Sequence, residues 1–198
     1  MYYNSQTNLV ILGIYKTAST TVHDMIEKYA NDDHIYLDRG AHFSIDSFMS
    51  AIGLNFDDVD VVLGIRNPWD CISSFYHAHI RMTDDTLDDY KMREFLEINQ
   101  GNWRRVIERW EIDRLDDVIV FEELQESLNR LGREYDMEGL IDKPLLHQNI
   151  SKNSEIDYRD FYNEADRHYV QGAFDERIKQ IEEHFGIRYT FDNIIEKV

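Results

Sequence analysis

The chain holds a single cysteine, Cys71, which excludes an intramolecular disulfide and any cysteine-based zinc cluster. That suits a reducing compartment, and the expected location is cytoplasmic. Proline occurs twice and glycine nine times in 198 residues, so collagen-like, linker-rich and disordered chains are excluded. Long apolar runs are missing as well. The longest, Leu9 to Tyr15, falls far short of the ~20 residues that span a bilayer, and the amino terminus lacks the basic flank of a signal peptide. Basic residues are scarce: 21 Lys and Arg against 39 Asp and Glu leave a net charge of −18. General attraction to nucleic acid or to an anionic membrane surface is therefore disfavoured. What is present, 42% hydrophobic and 13% aromatic residues, describes a folded chain that can bury a core, expected as one domain over residues 1–198.

Short apolar runs alternate with segments of helical period, the pattern of an α/β domain with a largely parallel sheet of about four or five strands. Leu9 to Ile14 is continuous rather than alternating, as befits a strand covered on both faces. Val22, Met25, Ile26, Tyr29 and Ala30 follow at helical spacing. Further strands are expected at His34–Leu37, Val59–Ile65 and Val118–Phe121, with a brief helix at Ile45–Ile52. Pro68 stands where a helix starts. Trp103, Val106, Ile107 and Trp110 mark another helix, with the tryptophans as core residues, and Leu124, Leu128 and Leu131 mark one more. Residues 132–154 read as loop with short helical turns. A final helix carries the stripe Ala165, Tyr169, Phe174, Ile178, Ile181 and Phe185 and stops at Gly186.

In an open parallel sheet, ligands bind beyond the carboxyl ends of the strands. After the first strand stands Lys16-Thr17-Ala18-Ser19-Thr20-Thr21: a lysine, then hydroxyl residues at a helix amino terminus, where backbone N–H groups and the helix dipole favour a phosphate or sulfate. The alternative is that Ser19 or Thr20 merely caps the helix and Lys16 is solvated. After the third strand comes Arg66, with Ser74 eight positions on. The arginine offers a planar fork of donors for a second phosphate and the serine a hydroxyl. The alternative here is an ion pair between Arg66 and the nearby Asp70. Two anion signals at neighbouring strand ends imply a ligand with two separated anionic groups.

These stretches resemble the sulfotransferases that use 3′-phosphoadenosine 5′-phosphosulfate. Tyr15 to Thr21 is similar to their 5′-phosphosulfate loop, and Arg66-Asn67-Pro68-Trp69-Asp70-Cys71-Ile72-Ser73-Ser74-Phe75-Tyr76-His77 to their 3′-phosphate motif. Weaker similarity runs through Phe121-Glu122-Glu123-Leu124, Tyr158, Tyr162 and the closing Phe185 to Phe191. The chain departs from the family at Ser19, where glycine is frequent, and at Val22, where an aromatic residue is frequent. The resemblance implies a three-layer α/β/α, P-loop-like sulfotransferase fold and in-line sulfuryl transfer without a metal, leaving adenosine 3′,5′-bisphosphate. It implies that Lys16 contacts the phosphosulfate and stabilises the leaving oxygen. Lys16, Thr17, Ala18, Ser19, Thr20 and Thr21 would hold the 5′ end, and Arg66 and Ser74 the 3′-phosphate. His42, after the second strand where relatives place a catalytic histidine, is the expected base; a surface histidine is the alternative, and Glu122 is the reserve. Lys152 is a further candidate for the 3′-phosphate or adenine, or else a solvated lysine. Trp69 is expected beside the nucleotide.

His77 and His79 are two residues apart on a helix and point to different sides, so they do not suit a shared metal. The donor carries roughly four negative charges, and a chain at −18 must focus positive potential on it locally, so a small or carbohydrate acceptor, hydroxyl or amine, is expected rather than a second polyanion. The polar stretch Arg81 to Gly101 is a candidate acceptor lid or an ordinary surface helix. A P-loop phosphotransferase is the main rival, but its Gly-x-x-x-x-Gly-Lys-Ser/Thr fingerprint and metal-binding acid are missing, Arg66 standing in the acid's place. A non-catalytic nucleotide-binding protein is the other.

Overall fold

The structure, a computed structural model, describes residues 2–13, 16–30, 35–37, 45–83, 91–101, 111–146, 157–192 and 196–197. Its elements are β1 (Tyr2–Asn4), β2 (Leu9–Leu12), α1 (Ser19–Tyr29), β3 (Ile35–Leu37), α2 (Ile45–Ile52), β4 (Asp60–Ile65), α3 (Pro68–Thr83), α4 (Met92–Ile98), β5 (Asp117–Val120), α5 (Leu124–Glu134), α6 (Glu164–Phe185), β6 (Ile187–Arg188) and β7 (Glu196–Lys197). The chain is α/β and falls into two compact units: Met1–Ile65 with Arg114–Asn149, and Arg66–Asp113 with Ile150–Val198.

The first unit is built on a five-stranded sheet in the order β3-β1-β2-β4-β5. β2, β4 and β5 run parallel, with Ile11 opposite Val62 and Leu63 opposite Val118. Both faces of β2 and β4 are covered: Leu9 to Leu12 and Val61 to Ile65 are all buried, which is why these strands read as unbroken apolar runs. The sheet is mixed rather than wholly parallel, because β1 pairs antiparallel with both β2 and β3. This strand is absent from the sequence reading. It has three residues, too few for a period, and it is set by a tight turn in which the Asn4 carboxamide oxygen accepts from the Gln6 and Thr7 amides at 2.8 and 3.3 Å. On one face of the sheet, Ile11, Val62 and Ile119 pack with Val22, Met25 and Ile26 of α1 and Leu124, Leu128 and Leu131 of α5. Each such side chain contributes about 1.5–3 kcal/mol by leaving water. The Ser127 hydroxyl accepts from the Val120 amide at 3.0 Å, and Arg130 donates to the Val118 carbonyl at 2.7 Å, so α5 is fixed on the end of β5.

The second unit is largely helical. Asn163 caps α6 by accepting from the Asp166 amide at 2.9 Å, and Gly186, at φ 63°, closes it in the left-handed conformation that glycine adopts without penalty. The buried stripe of α6 is Val170, Phe174, Ile178 and Ile181. Ala165, expected in that stripe, is exposed, and Tyr169 and Phe185 lie at its edges, because counting back four residues from Phe174 reaches Val170. Tyr169 instead accepts from Gln100 at 2.8 Å and lies under the Arg93 guanidinium, 4.8 Å away. The candidate lid contains a packed helix: α4 buries Met92, Phe95 and Leu96. The expected helix at Trp103–Trp110 lies outside the described residues.

Candidate functional site

Because β2, β4 and β5 are parallel, their carboxyl ends share one edge of the sheet, and the segment leaving β2 crosses it. Lys16 and Ala18 both adopt left-handed backbone, φ 67° and 61°, though neither is glycine. Such residues cost about 1–2 kcal/mol each and persist only where their surroundings impose them. Those surroundings are close. Thr17 is fully buried, and a Cβ on Gly64 of β4 would lie 2.9 Å from its Oγ1 and 3.1 Å from its carbonyl oxygen. A Cβ on Gly13 would lie 3.0 Å from the Ser19 Cβ and 3.5 Å from the ring of His23, a buried residue of α1 not singled out from the sequence. Gly64 thus lets Thr17 lie directly on β4, and Gly13 lets the start of α1 lie close to the end of β2.

Ala18, not Ser19 or Thr20, stands at the helix cap, and the first turn of α1 holds no acid. The cap alternative weighed on the sequence is therefore not what the structure adopts. Ser19, Thr20 and Thr21 form the first turn, with Thr21 buried, Ser19 half-buried and Thr20 exposed. Lys16 is half-buried beside them. A helix start whose first turn holds no acid, next to a lysine, suits an anion.

The chain leaves β4 directly into Arg66. Its Nη2 and Nε both reach the Asp70 Oδ2 at 2.7 Å, so the pairing alternative is what the structure shows. Arg66, Asp70 and Ser74 are spaced by four, which puts Asp70 and Ser74 on one row along α3 with the guanidinium laid against its start. Ser74 is half-buried. The start of α3 is fixed by Asn67, wholly buried, whose side-chain oxygen accepts from the amides of Trp69 and Asp70 at 3.1 and 3.4 Å. Asn67 as cap with Pro68 as first helical residue is a local signal readable from sequence.

Trp69 is a correction. Only 1% exposed, it donates from Nε1 to the Arg167 carbonyl at 3.3 Å and meets Phe191 edge-on at 5.8 Å. It is core, and does not offer a face to a nucleotide. Tyr162 donates to the Trp69 carbonyl at 2.8 Å, and burial pushes its phenol well above the ordinary range. His77 faces Phe161 and His79 faces Phe95, so the two rings diverge as their spacing requires. Among the described residues no group of three or more His, Cys, Asp or Glu could hold a metal. Glu122 lies half-buried in the short turn after β5. His42 and Lys152 lie outside the described residues. No family model, curated protein or solved structure matches this chain.

Proposed function

We propose that this chain is a sulfotransferase, moving a sulfuryl group from 3′-phosphoadenosine 5′-phosphosulfate to a hydroxyl or amine of a small or carbohydrate acceptor, on a three-layer P-loop-like fold. The observation that carries the reading is the loop after β2: Lys16 and Ala18 are left-handed on either side of a buried Thr17 that lies against Gly64, and the loop opens a helix whose first turn holds no acid. Non-glycine backbone held at such a cost supports a functional role for this loop. The reading assigns the 5′-phosphosulfate to Lys16 through Thr21 and the 3′-phosphate to Arg66 and Ser74. In the transfer, the acceptor oxygen or nitrogen bonds to sulfur as the bond from sulfur to the phosphate oxygen breaks. Lys16 stabilises the charge left on that oxygen, and the acceptor proton passes to a base, His42 first and Glu122 in reserve. The other reading is a nucleotide-binding protein without turnover; in both, a phosphate must share Arg66 with the Asp70 carboxylate.

The two separate on activity. A radiolabelled sulfuryl donor incubated with a panel of sugars, amines and phenols should label an acceptor, and Lys16→Ala should cut turnover by about a hundredfold, the usual loss when a donor to developing charge is removed. Donor binding without transfer to any acceptor class would leave the binding protein; equal turnover in Lys16→Ala would remove the assigned role.

A further inference from the structure

The carboxy-terminal segment bears on Arg66 through Asn67. The Asn67 Nδ2 donates to the Thr190 carbonyl at 3.1 Å while its Oδ1 caps α3. Thr190 is held in turn by its neighbour. The Phe191 ring is met edge-on by Trp69, Tyr158 and Tyr162 at 5.8, 5.7 and 5.8 Å and covered by the Arg167 guanidinium at 4.0 Å, and its carbonyl accepts from the Tyr158 hydroxyl at 2.7 Å. Of these partners, Trp69 sits in the first turn of α3 and Tyr162 bonds that same residue's carbonyl. Phe191 is thus an anchor, Thr190 a strut and Asn67 the joint, and the residue next to the joint is Arg66.

We propose that Asn67 and Phe191 are positioning residues for Arg66: the segment Ile187–Asp192 clamps the start of α3 so that the guanidinium is held in the orientation that discriminates a 3′-phosphorylated nucleotide from one without that group. The proposal rests on the donor reading given above. A clamp of this kind is a better device than Asp70 alone. Asp70 fixes the tip of the side chain, whereas fixing Asn67 fixes the backbone from which Arg66 departs, and a recognition group must be held on both sides to keep its geometry.

The full chain is titrated with adenosine 3′,5′-bisphosphate and with adenosine 5′-monophosphate, as wild type, Asn67→Ser and Phe191→Ala. Serine keeps a helix-capping oxygen and removes the Nδ2 donor to the Thr190 carbonyl; Phe191→Ala removes the anchor at a distance from Arg66. Each variant is expected to lower the preference for the bisphosphate by about tenfold while the monophosphate affinity stays within about twofold. Exchange of the Arg66 Nε–H, followed by nuclear magnetic resonance without ligand, is expected to accelerate in both. A merely structural role would lower the melting temperature and leave the preference ratio and the exchange rate unchanged, and that result overturns the proposal. Should the wild type show no preference for the bisphosphate, the donor reading fails, and the exchange rate decides the clamp by itself: faster in both variants supports it, unchanged overturns it.

Discussion

Lys16 and Ala18 show how far a residue can be read before its backbone is known. Their order beside Thr17, Ser19, Thr20 and Thr21 announces an anion loop, but nothing in two non-glycine residues announces φ 67° and 61°. Ala18→Gly tests that strain. Glycine adopts the left-handed region without the Cβ clash, so the variant should gain up to about 1 kcal/mol in urea denaturation, the lower unfolded-state order of glycine offsetting part of the relief. Gly64→Ala runs the other way. The new methyl would meet the Thr17 carbonyl at 3.1 Å, so a loss of about 1–3 kcal/mol is expected, together with weaker binding of the bisphosphate as the loop lifts. Arg66 was legible with its alternative, because an acid four positions on is visible in the sequence. Trp69 was not: an indole just past a strand end is compatible with a ligand or with a core, and what decides it are Arg167, Tyr162 and Phe191, more than 90 positions away in sequence.

Elements were legible where burial imposes a period. β2 and β4 are apolar throughout because both their faces are covered, and α5 shows its stripe because one face meets the sheet. Leu128 is fully buried in that stripe, so Leu128→Ala should cost about 2–5 kcal/mol by thermal or denaturant unfolding. Ile98, 64% exposed at the end of α4, should change stability by less than about 0.5 kcal/mol when made serine. β1 was hidden by its brevity. The charges around Met92, Phe95 and Leu96 left α4 readable as a polar lid or as an ordinary surface helix, and the structure shows a packed helix there. Tyr162 belongs to this scale because it joins the turn before α6 to the start of α3. Its folded phenol holds its proton more tightly than the unfolded one. The stability it contributes is therefore complete below the ordinary value of 10.0 and is lost as pH rises above it toward the higher folded value. Tyr162→Phe should lose about 1 kcal/mol near neutrality, by stranding the Trp69 carbonyl, and should unfold along a flatter alkaline limb than the wild type.

At the scale of the molecule the dominant quantity is the net charge of −18, and any anionic ligand must be drawn in against it by a few local cations. Lys16 and Arg66 are the cations assigned to that role. They belong to different compact units. The most direct measurement is calorimetric titration of the full chain with adenosine 3′,5′-bisphosphate, run beside ATP with magnesium and beside Lys16→Ala and Arg66→Ala. Micromolar binding of the bisphosphate, weak binding of ATP, and loss of at least about tenfold in affinity in Arg66→Ala are expected. An absence of bisphosphate binding, or tighter, magnesium-dependent binding of ATP that Arg66→Ala leaves intact, would contradict the sulfuryl-donor site.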